Sequence, residues 1–205
     1  MRDVSIIGVG QTKVGEHWES GLRTLAADAA HAALGDAGIE AVEALYVGSA
    51  YAASISNQSQ LGALIADYAG LGNLEAFTVE AAEASGAAAL RAGYLAVASG
   101  AVDVAMVLGV EKSTDMVAEA RTLARGTSLD ADYEMIQGAT ATAQAALLMR
   151  RYLHEHGVTV GAFEGFSLNA HANGAKNPNA MYRNLLKPGA FGKAPLVADP
   201  VNLFD

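Results

Sequence analysis

The sequence has 205 residues, of which 52% are apolar and 17% charged, so a disordered chain is excluded and a folded domain with a buried core is predicted. The formal net charge is −9 and the 13 Lys and Arg residues are scattered. This argues against nucleic acid as a partner, because phosphate contacts need clustered basic side chains. The absence of cysteine excludes disulfides, thiolate zinc sites and thiol catalysis by this chain.

The distribution of apolar residues also bears on membranes. No apolar run reaches the roughly 18 residues that a membrane-spanning helix requires. The N-terminus enters a strand-like pattern directly, without the charged and apolar regions of a signal peptide. We therefore expect a cytoplasmic protein without membrane contact.

The first predicted element is a strand over residues 4–9, which ends in Gly8-Val9-Gly10. A dinucleotide-binding fingerprint would need a third glycine at position 13, where the chain has Lys13. We therefore interpret the two glycines as a tight exit from the strand.

Helices and strands alternate through the rest of the first half. Gly38 and Gly70 end the first two predicted helices. The predicted elements after the first strand are, in order, a helix over 21–37, a strand over 44–48, a helix over 57–68, a buried strand over 76–79, a helix from Ser85 and a strand over 102–109. This β-α-β-α-β-α-β order predicts an α/β fold with a largely parallel sheet that is covered on both faces.

The most informative stretch is 75–100, where a turn at 81–84 joins a strand to an Ala-rich helix. The side chains of this turn project near the first free N–H groups of the helix. Such turns, at the carboxyl ends of strands, are where ligands tend to bind in α/β folds. Gly86 and Gly93 share one helix face, which predicts close packing against another backbone.

The pattern changes after Glu111, where polar and small residues with weak periodicity follow. We predict, in order, a loop with short helical pieces over 112–132, a helix over 140–156 that Gly157 ends, a helix over 160–172, a loop over 177–188 and a strand-like run over 196–205. The chain is therefore divided into a core of residues 1–111, an insertion subdomain of residues 112–195 and a strand, 196–205, that returns to the core.

Several motifs in one order resemble a known family. Residues 79–86, VEAAEASG, with Leu90 and Gly93, resemble the nucleophile turn and buried helix of the thiolase superfamily, above all its archaeal-type and sterol-carrier-protein-x-type members. Residues 169–180, NAHANGAKNPNA, resemble the insertion that covers the coenzyme A tail, and residues 198–205 resemble the return to the first half. The resemblance implies a thiolase-like fold. It covers one half of a thiolase, whose second half carries the catalytic histidine and a second cysteine.

The resemblance places Glu83 at the position of the cysteine that thiolases acylate. The start of a helix favours an anion, but a carboxylate cannot form and exchange a thioester as a thiol does. Glu83 is then a first-turn acid in a protein without catalysis, or a base in a non-acylating reaction such as retro-aldol cleavage. A third interpretation is an engineered replacement of the cysteine, or a partner chain that supplies the reactive groups. We interpret Glu80 as structural.

The insertion-like segment implies that His171 and Asn173 contact coenzyme A. The competing interpretation of His171 is a hydrogen-bonded loop residue, which is the commoner role of a lone histidine among Asn and Gly. His154 and His156 point away from each other on a predicted helix, so we expect no metal site.

From the resemblance we predict a protein that forms or cleaves a carbon–carbon bond in a coenzyme A thioester, possessing an aldolase-like activity and no covalently bound cofactor. The alternative is a non-catalytic subunit, an acyl-CoA- or lipid-binding scaffold. A lone half would expose Ala87, Leu90 and Tyr94 over an unusually large apolar area, so we expect a homo- or hetero-oligomer with a thiolase C-terminal half. The resemblance also implies pairing of residues 77–79 across a dimer axis and a small zinc-ribbon/OB-fold partner.

Overall fold

The computed structural model describes residues 2–205, which form two compact units. The first unit comprises residues 2–12 and 16–124, and the second comprises residues 13–15 and 125–205. The domain bounds drawn from the sequence at residues 111 and 195 stay a prediction.

The helices and strands are, in order, α1 (Leu22–Ala37), β1 (Ala44–Gly48), α2 (Ala52–Ile55), α3 (Leu61–Tyr68), β2 (Glu75–Val79), α4 (Ser85–Ser99), β3 (Ala105–Gly109), α5 (Ala118–Gly126), α6 (Ala141–His156), α7 (Glu164–Lys176), β4 (Leu196–Ala198) and β5 (Val201–Asn202). Short 3-10 turns lie at Met135–Gln137, Val160–Phe163 and Phe191–Lys193.

The first unit is built on a parallel sheet of three strands in the order β2-β1-β3. Side chains alternate across the central strand, which is buried throughout. Leu45 and Val47 pack in the cluster that contains α1 and α3, whereas Ala44 and Tyr46 pack against Ala89 of α4. Helices therefore cover both faces of a parallel sheet, and the predicted α/β fold is confirmed.

The predicted helix ends are also confirmed where local chemistry sets them. Gly38 and Gly157 follow α1 and α6 in the left-handed conformation, with φ of 67° and 62°. The Thr140 hydroxyl accepts a hydrogen bond of 3.1 Å from the Ala143 amide and caps the start of α6.

The prediction of a strand over residues 4–9 is wrong, because this segment forms no strand in the part of the chain that the structure describes. The reason is that no described strand lies beside it to complete a ladder. The two glycines have a different role from a strand exit. A Cβ at Gly8 would lie 2.5 Å from the Ala33 oxygen of α1, and a Cβ at Gly10 would lie 2.2 Å from the Ala29 oxygen of the same helix. Both positions therefore need glycine so that the segment can lie directly on α1.

Other predictions are wrong in detail. The predicted helix 57–68 begins only at Leu61, and β2 is an edge strand, with Phe77 51% exposed, instead of a buried one. Gly93 packs against the Val107 side chain of β3, but the Cβ position of Gly86 is open, so the two do not share a close backbone neighbour.

In the second unit, β4 and β5 form an antiparallel pair, and the predicted return of residues 196–205 to the core remains a prediction.

Candidate active site

Because β1, β2 and β3 are parallel, their carboxyl ends meet at one edge of the sheet. The segments that follow the three strands carry polar side chains: Ser49 and Tyr51 follow β1, Glu80 and Glu83 follow β2, and Glu111 follows β3. This carboxyl edge is the candidate active site.

The turn between β2 and α4 is held by its own hydrogen bonds. The buried Ser85 hydroxyl donates to the Ala82 oxygen at 2.6 Å and accepts from the Ala81 amide at 2.9 Å. Glu80 accepts from the Ala82 amide at 2.6 Å, which agrees with a structural role for this carboxylate. Ala82 has a φ of 47°, a left-handed conformation that is unfavourable for a residue with a Cβ. These contacts fix the backbone immediately before Glu83.

The end of β1 fits directly against the start of α4. A Cβ at Gly48 would lie 2.6 Å from the Ser85 oxygen and 2.9 Å from the Gly86 Cα. Only glycine allows this approach, which sets the first turn of α4 beside the end of the central strand.

Glu83 is exposed and lies two residues before Ser85, the first residue of α4. The Tyr51 hydroxyl donates a hydrogen bond to its Oε1 atom. Tyr51 is itself only 8% exposed and belongs to a small cluster with Ile55 and Ala124. The structure therefore joins a solvent-accessible carboxylate to a phenol whose ring is fixed by packing.

Glu111 fixes the segment that carries Tyr51. Its Oε2 atom accepts from the Ser49 hydroxyl at 3.1 Å and from the Ala50 and Tyr51 amides at 2.9 Å each. The three strands thus contribute to one network, in which Glu111 positions Tyr51 and Tyr51 contacts Glu83.

Sequence reasoning missed both Tyr51 and Glu111 as site residues. Each directly follows a predicted strand of a parallel layer, and that position was the available signal. It could not show that the ends of β2 and β3 lie on either side of β1, because strand order is not local in the sequence.

The predicted coenzyme A ligands His171 and Asn173 lie on α7 in the second unit, and the structure does not bring them together. Two residues apart on a helix, they project in nearly opposite directions. The half-buried His171 bonds through Nδ1 to the Asn184 oxygen at 3.0 Å and packs edge-on against Phe204. A neutral ring with this hydrogen bond presents Nε2 as an acceptor. Asn173 is exposed.

Residues 2–205, which the structure describes, contain neither a cluster of metal ligands nor a membrane-spanning helix. No group of three or more His, Cys, Asp or Glu side chains there has an arrangement that could hold a metal ion. None of the described helices combines the length and apolar character needed to cross a bilayer.

Comparison with known proteins decides the family. Residues 4–188 match the model of the thiolase N-terminal domain. The chain belongs to the thiolase family. Members of this family use coenzyme A thioesters as substrates. The chain is 40% identical over its whole length to an acetyl-CoA acetyltransferase of Methanothermobacter thermautotrophicus and 42% identical over 89% of its length to that of Methanocaldococcus jannaschii.

More distant relatives have other names. The chain is 26% identical over 98% of its length to a 17-hydroxy-3-oxo-4-pregnene-20-carboxyl-CoA lyase of Mycobacterium tuberculosis. Its fold matches a chain of the Ltp2-ChsH2(DUF35) aldolase with a TM-score of 0.76, at 24% identity and over 98% of this chain. The alignments cover 54% and 46% of the two archaeal enzymes, so this chain spans about half the length of those relatives.

Proposed function

We propose that this chain forms the N-terminal half of a thiolase-family assembly that cleaves or forms a carbon–carbon bond in a coenzyme A thioester without an acyl-cysteine intermediate. The observation that carries the proposal is the hydrogen bond from Tyr51 to Glu83 in a chain without cysteine. Glu83 occupies the turn that thiolases use for their nucleophile, and the carboxylate replaces an acylating group by a basic one.

The reaction class that this pair suits best is retro-aldol cleavage of a 3-hydroxyacyl-CoA. The Glu83 carboxylate accepts the proton of the 3-hydroxyl group, the bond between C2 and C3 breaks, and a carbonyl compound leaves. The electron pair of the broken bond moves into the thioester as an enolate, which then takes the proton back at C2. The products are an aldehyde or ketone and a shorter acyl-CoA, so atoms and charge balance without an added cofactor.

Tyr51 acts in this scheme as a positioning residue. Its hydroxyl donates to Oε1 of Glu83 and so fixes the orientation of the carboxylate.

The relatives support a carbon–carbon bond reaction in general and cleavage in particular. One relative is named as a lyase of a carboxyl-CoA compound, and the solved structure of similar fold is titled an aldolase. That title names ChsH2(DUF35) beside Ltp2, which supports a partner protein for this chain as well. We further propose that His171 and Asn173 contact coenzyme A, and that a small zinc-ribbon/OB-fold protein is such a partner.

The test uses a panel of 3-hydroxyacyl-CoA thioesters of increasing chain length, given to this chain alone and with the C-terminal half of the Methanothermobacter relative. Release of an aldehyde and a shorter acyl-CoA is followed by liquid chromatography. We expect Glu83→Gln to lower kcat by about 10²–10⁴-fold, because a general base contributes on that order. Tyr51→Phe should lower kcat by about tenfold, because it removes the hydrogen bond that orients the carboxylate.

Glu80→Gln is the matched control, since Glu80 lies in the same turn and its amide oxygen can still accept from Ala82. Turnover that survives Glu83→Gln would contradict the assignment of the base. In Glu83→Cys, the introduced thiol is unique in the chain, so an acyl adduct seen by mass spectrometry would show that the turn still activates a nucleophile.

The second candidate function is a non-catalytic acyl-CoA-binding subunit. It is favoured by a relative, 29% identical, that is named a benzoylsuccinyl-CoA thiolase subunit of Thauera aromatica. Binding of acyl-CoA without turnover in every combination of chains would support this function against the first.

A further inference from the structure

A buried ammonium group lies next to Glu111 in the sequence. The side chain of Lys112 is only 5% exposed, and lysine is almost never buried to this extent unless it is paired. Its Nζ atom forms an ion pair with Oδ2 of Asp115, whose side chain is 56% exposed. Neither residue belongs to the hydrogen-bond network that joins Glu111, Tyr51 and Glu83, so the pair has a separate role.

The two partners of this ion pair are buried to different degrees. A buried ammonium group without an anion has lost its hydration and has gained no attraction in return. Asp115 lies largely in water and does not depend on Lys112 in the same way. The pair therefore keeps Lys112 in its buried place, and loss of Asp115 would drive that side chain and its backbone towards water.

The residues that follow the ion pair pack against Tyr51. Met116 packs against the apolar cluster that contains the Tyr51 ring, and the buried Ala124 of α5 is a member of that cluster. Both residues come from the segment 112–124, which begins with the ion pair. Because Met116 directly follows Asp115 in the sequence, the position of the pair sets the position of Met116.

The backbone and the ring of Tyr51 are thus held by different contacts. Glu111 accepts from the Tyr51 amide at 2.9 Å and fixes the backbone. The ring is fixed by packing and ends in the hydroxyl that donates to Glu83. A ring without the packing of Met116 would be free to leave Glu83 while its backbone stayed in place.

We propose that the Lys112–Asp115 ion pair positions the ring of Tyr51, and through it the carboxylate of Glu83, by holding the segment 112–124 against the ring. Lys112 and Asp115 are positioning residues in this scheme, since they act through Tyr51. The expected effect on turnover rests on the proposed function of Glu83 as a base. The effect on the ring does not depend on any reaction.

A different role for Lys112 would be to act on Glu83 through its charge. The two roles differ in the double variant Lys112→Met/Asp115→Ala. Methionine has an unbranched, uncharged side chain, so it can fill the buried place of Lys112 without an anion. If the pair acts by holding the segment, Asp115→Ala alone loosens the ring and the double variant restores it.

The experiment follows Tyr51 by fluorine NMR in the whole chain labelled with 3-fluorotyrosine. The signal that Tyr51→Phe removes is that of Tyr51, and Glu83→Ala gives its position without the hydrogen bond. We expect Asp115→Ala to shift the signal towards that position. The double variant Lys112→Met/Asp115→Ala should return it to the wild-type position.

Hydrogen–deuterium exchange separates movement of the ring from loss of the fold. The Tyr51 amide should stay protected in Asp115→Ala, because Glu111 still accepts from it. Glu119→Ala is the matched control, since Glu119 is an exposed acid of the same segment whose side chain pairs with no described residue. It should leave the fluorine signal in place.

Three results of the NMR experiment would overturn the inference. They are an unmoved signal in Asp115→Ala, a signal that stays shifted in the double variant, and an equal shift in Glu119→Ala. Loss of protection at the Tyr51 amide in Asp115→Ala would also overturn it, because ring and backbone would then move together.

Kinetics on the panel of 3-hydroxyacyl-CoA thioesters adds a second readout. Asp115→Ala should lower kcat by about tenfold with little change in KM, and should lower it no further when Tyr51→Phe is already present. Additive losses in the two variants would contradict an action through Tyr51. Absence of cleavage by the wild type would count against the proposed function alone, since the fluorine signal still decides the role of the ion pair.

Discussion

The carboxyl edge of the sheet and the side edge at β3 belong to the same unit but differ in how far their polar groups are paired. At the carboxyl edge, Glu111 accepts from three donors, Tyr51 bonds across the site to Glu83, and Ser85 bonds twice within its own turn. At the side edge, a row of backbone groups and the segment 4–8 have no partner among the described residues. The difference shows that the candidate site is organised by groups within this unit, whereas the β3 edge keeps backbone groups that no described residue pairs.

We expect the largest effect at Gly48, where the end of β1 packs closest against the start of α4. In Gly48→Ala the added Cβ would lie 2.6 Å from the Ser85 oxygen. Because this distance is too short, we expect the free energy of unfolding, measured in urea, to fall by about 1–3 kcal/mol. Gly35→Ala is the control, because that Cβ meets nothing within 4 Å on helix α1 and should stabilise the chain by about 0.5–1 kcal/mol. Equal effects of the two variants would contradict a rigid junction between β1 and α4.

The next test removes the acceptor that positions Tyr51. Glu111→Ala leaves the Ser49 hydroxyl and two amides without their partner, and we expect a loss of about 1–2 kcal/mol, since Glu111 is exposed and water replaces part of the bonding. Glu40→Ala, at an exposed acid without a partner among the described residues, should change the free energy of unfolding by less than about 0.5 kcal/mol. A loss at position 40 as large as at position 111 would count against the network.

The smallest effect concerns the amino end of the sheet, where Tyr46 donates to Glu75 at 2.7 Å and stacks on Phe77. Burial raises the pKa of Tyr46 from 10.0 to about 12, and the hydrogen bond and charge of Glu75 act in the same direction. Between these pH values the unfolded chain loses the phenolic proton while the folded chain keeps it. The stabilisation is therefore present below pH 10 and is lost as pH rises through about 12.

Tyr46→Phe should lower the melting temperature at neutral pH, because it removes one hydrogen bond worth about 0.5–1.5 kcal/mol. It should also flatten the decline of the melting temperature above pH 10. Tyr133→Phe, at a side chain that is 82% exposed, should reproduce the wild-type decline. A decline that is unchanged in Tyr46→Phe would show that another group titrates in this range.

Sequence predicts this fold best where a single residue fixes the conformation. Gly38 and Gly157 end helices through a left-handed φ, and Thr140 starts one by capping it, so the bounds of α1 and α6 follow closely from local chemistry. Residues 4–9 have a strand-like sequence, but a strand also needs a neighbour, and none is present beside them. Gly86 and Gly93 share a helix face in the sequence, yet only the order of the strands determines that Val107 lies against the second of them.

The candidate site shows the same division. The motif around residues 79–86 locates Glu83 at the helix start, because that turn is continuous in the sequence. Tyr51 bonds to Glu83 from 32 positions away in the sequence, and Glu111 bonds to Tyr51 from 60 positions away. Such convergence depends on which strands are neighbours, and no local pattern encodes it.

The unpaired edge of β3 affects how readily the protein aggregates. An exposed strand edge beside apolar side chains is a template for uncontrolled cross-β aggregation between copies. This chain should therefore lose soluble protein as its concentration rises, even where its fold is stable. Recovery from bacterial lysates would then depend on protein concentration more than on the melting temperature.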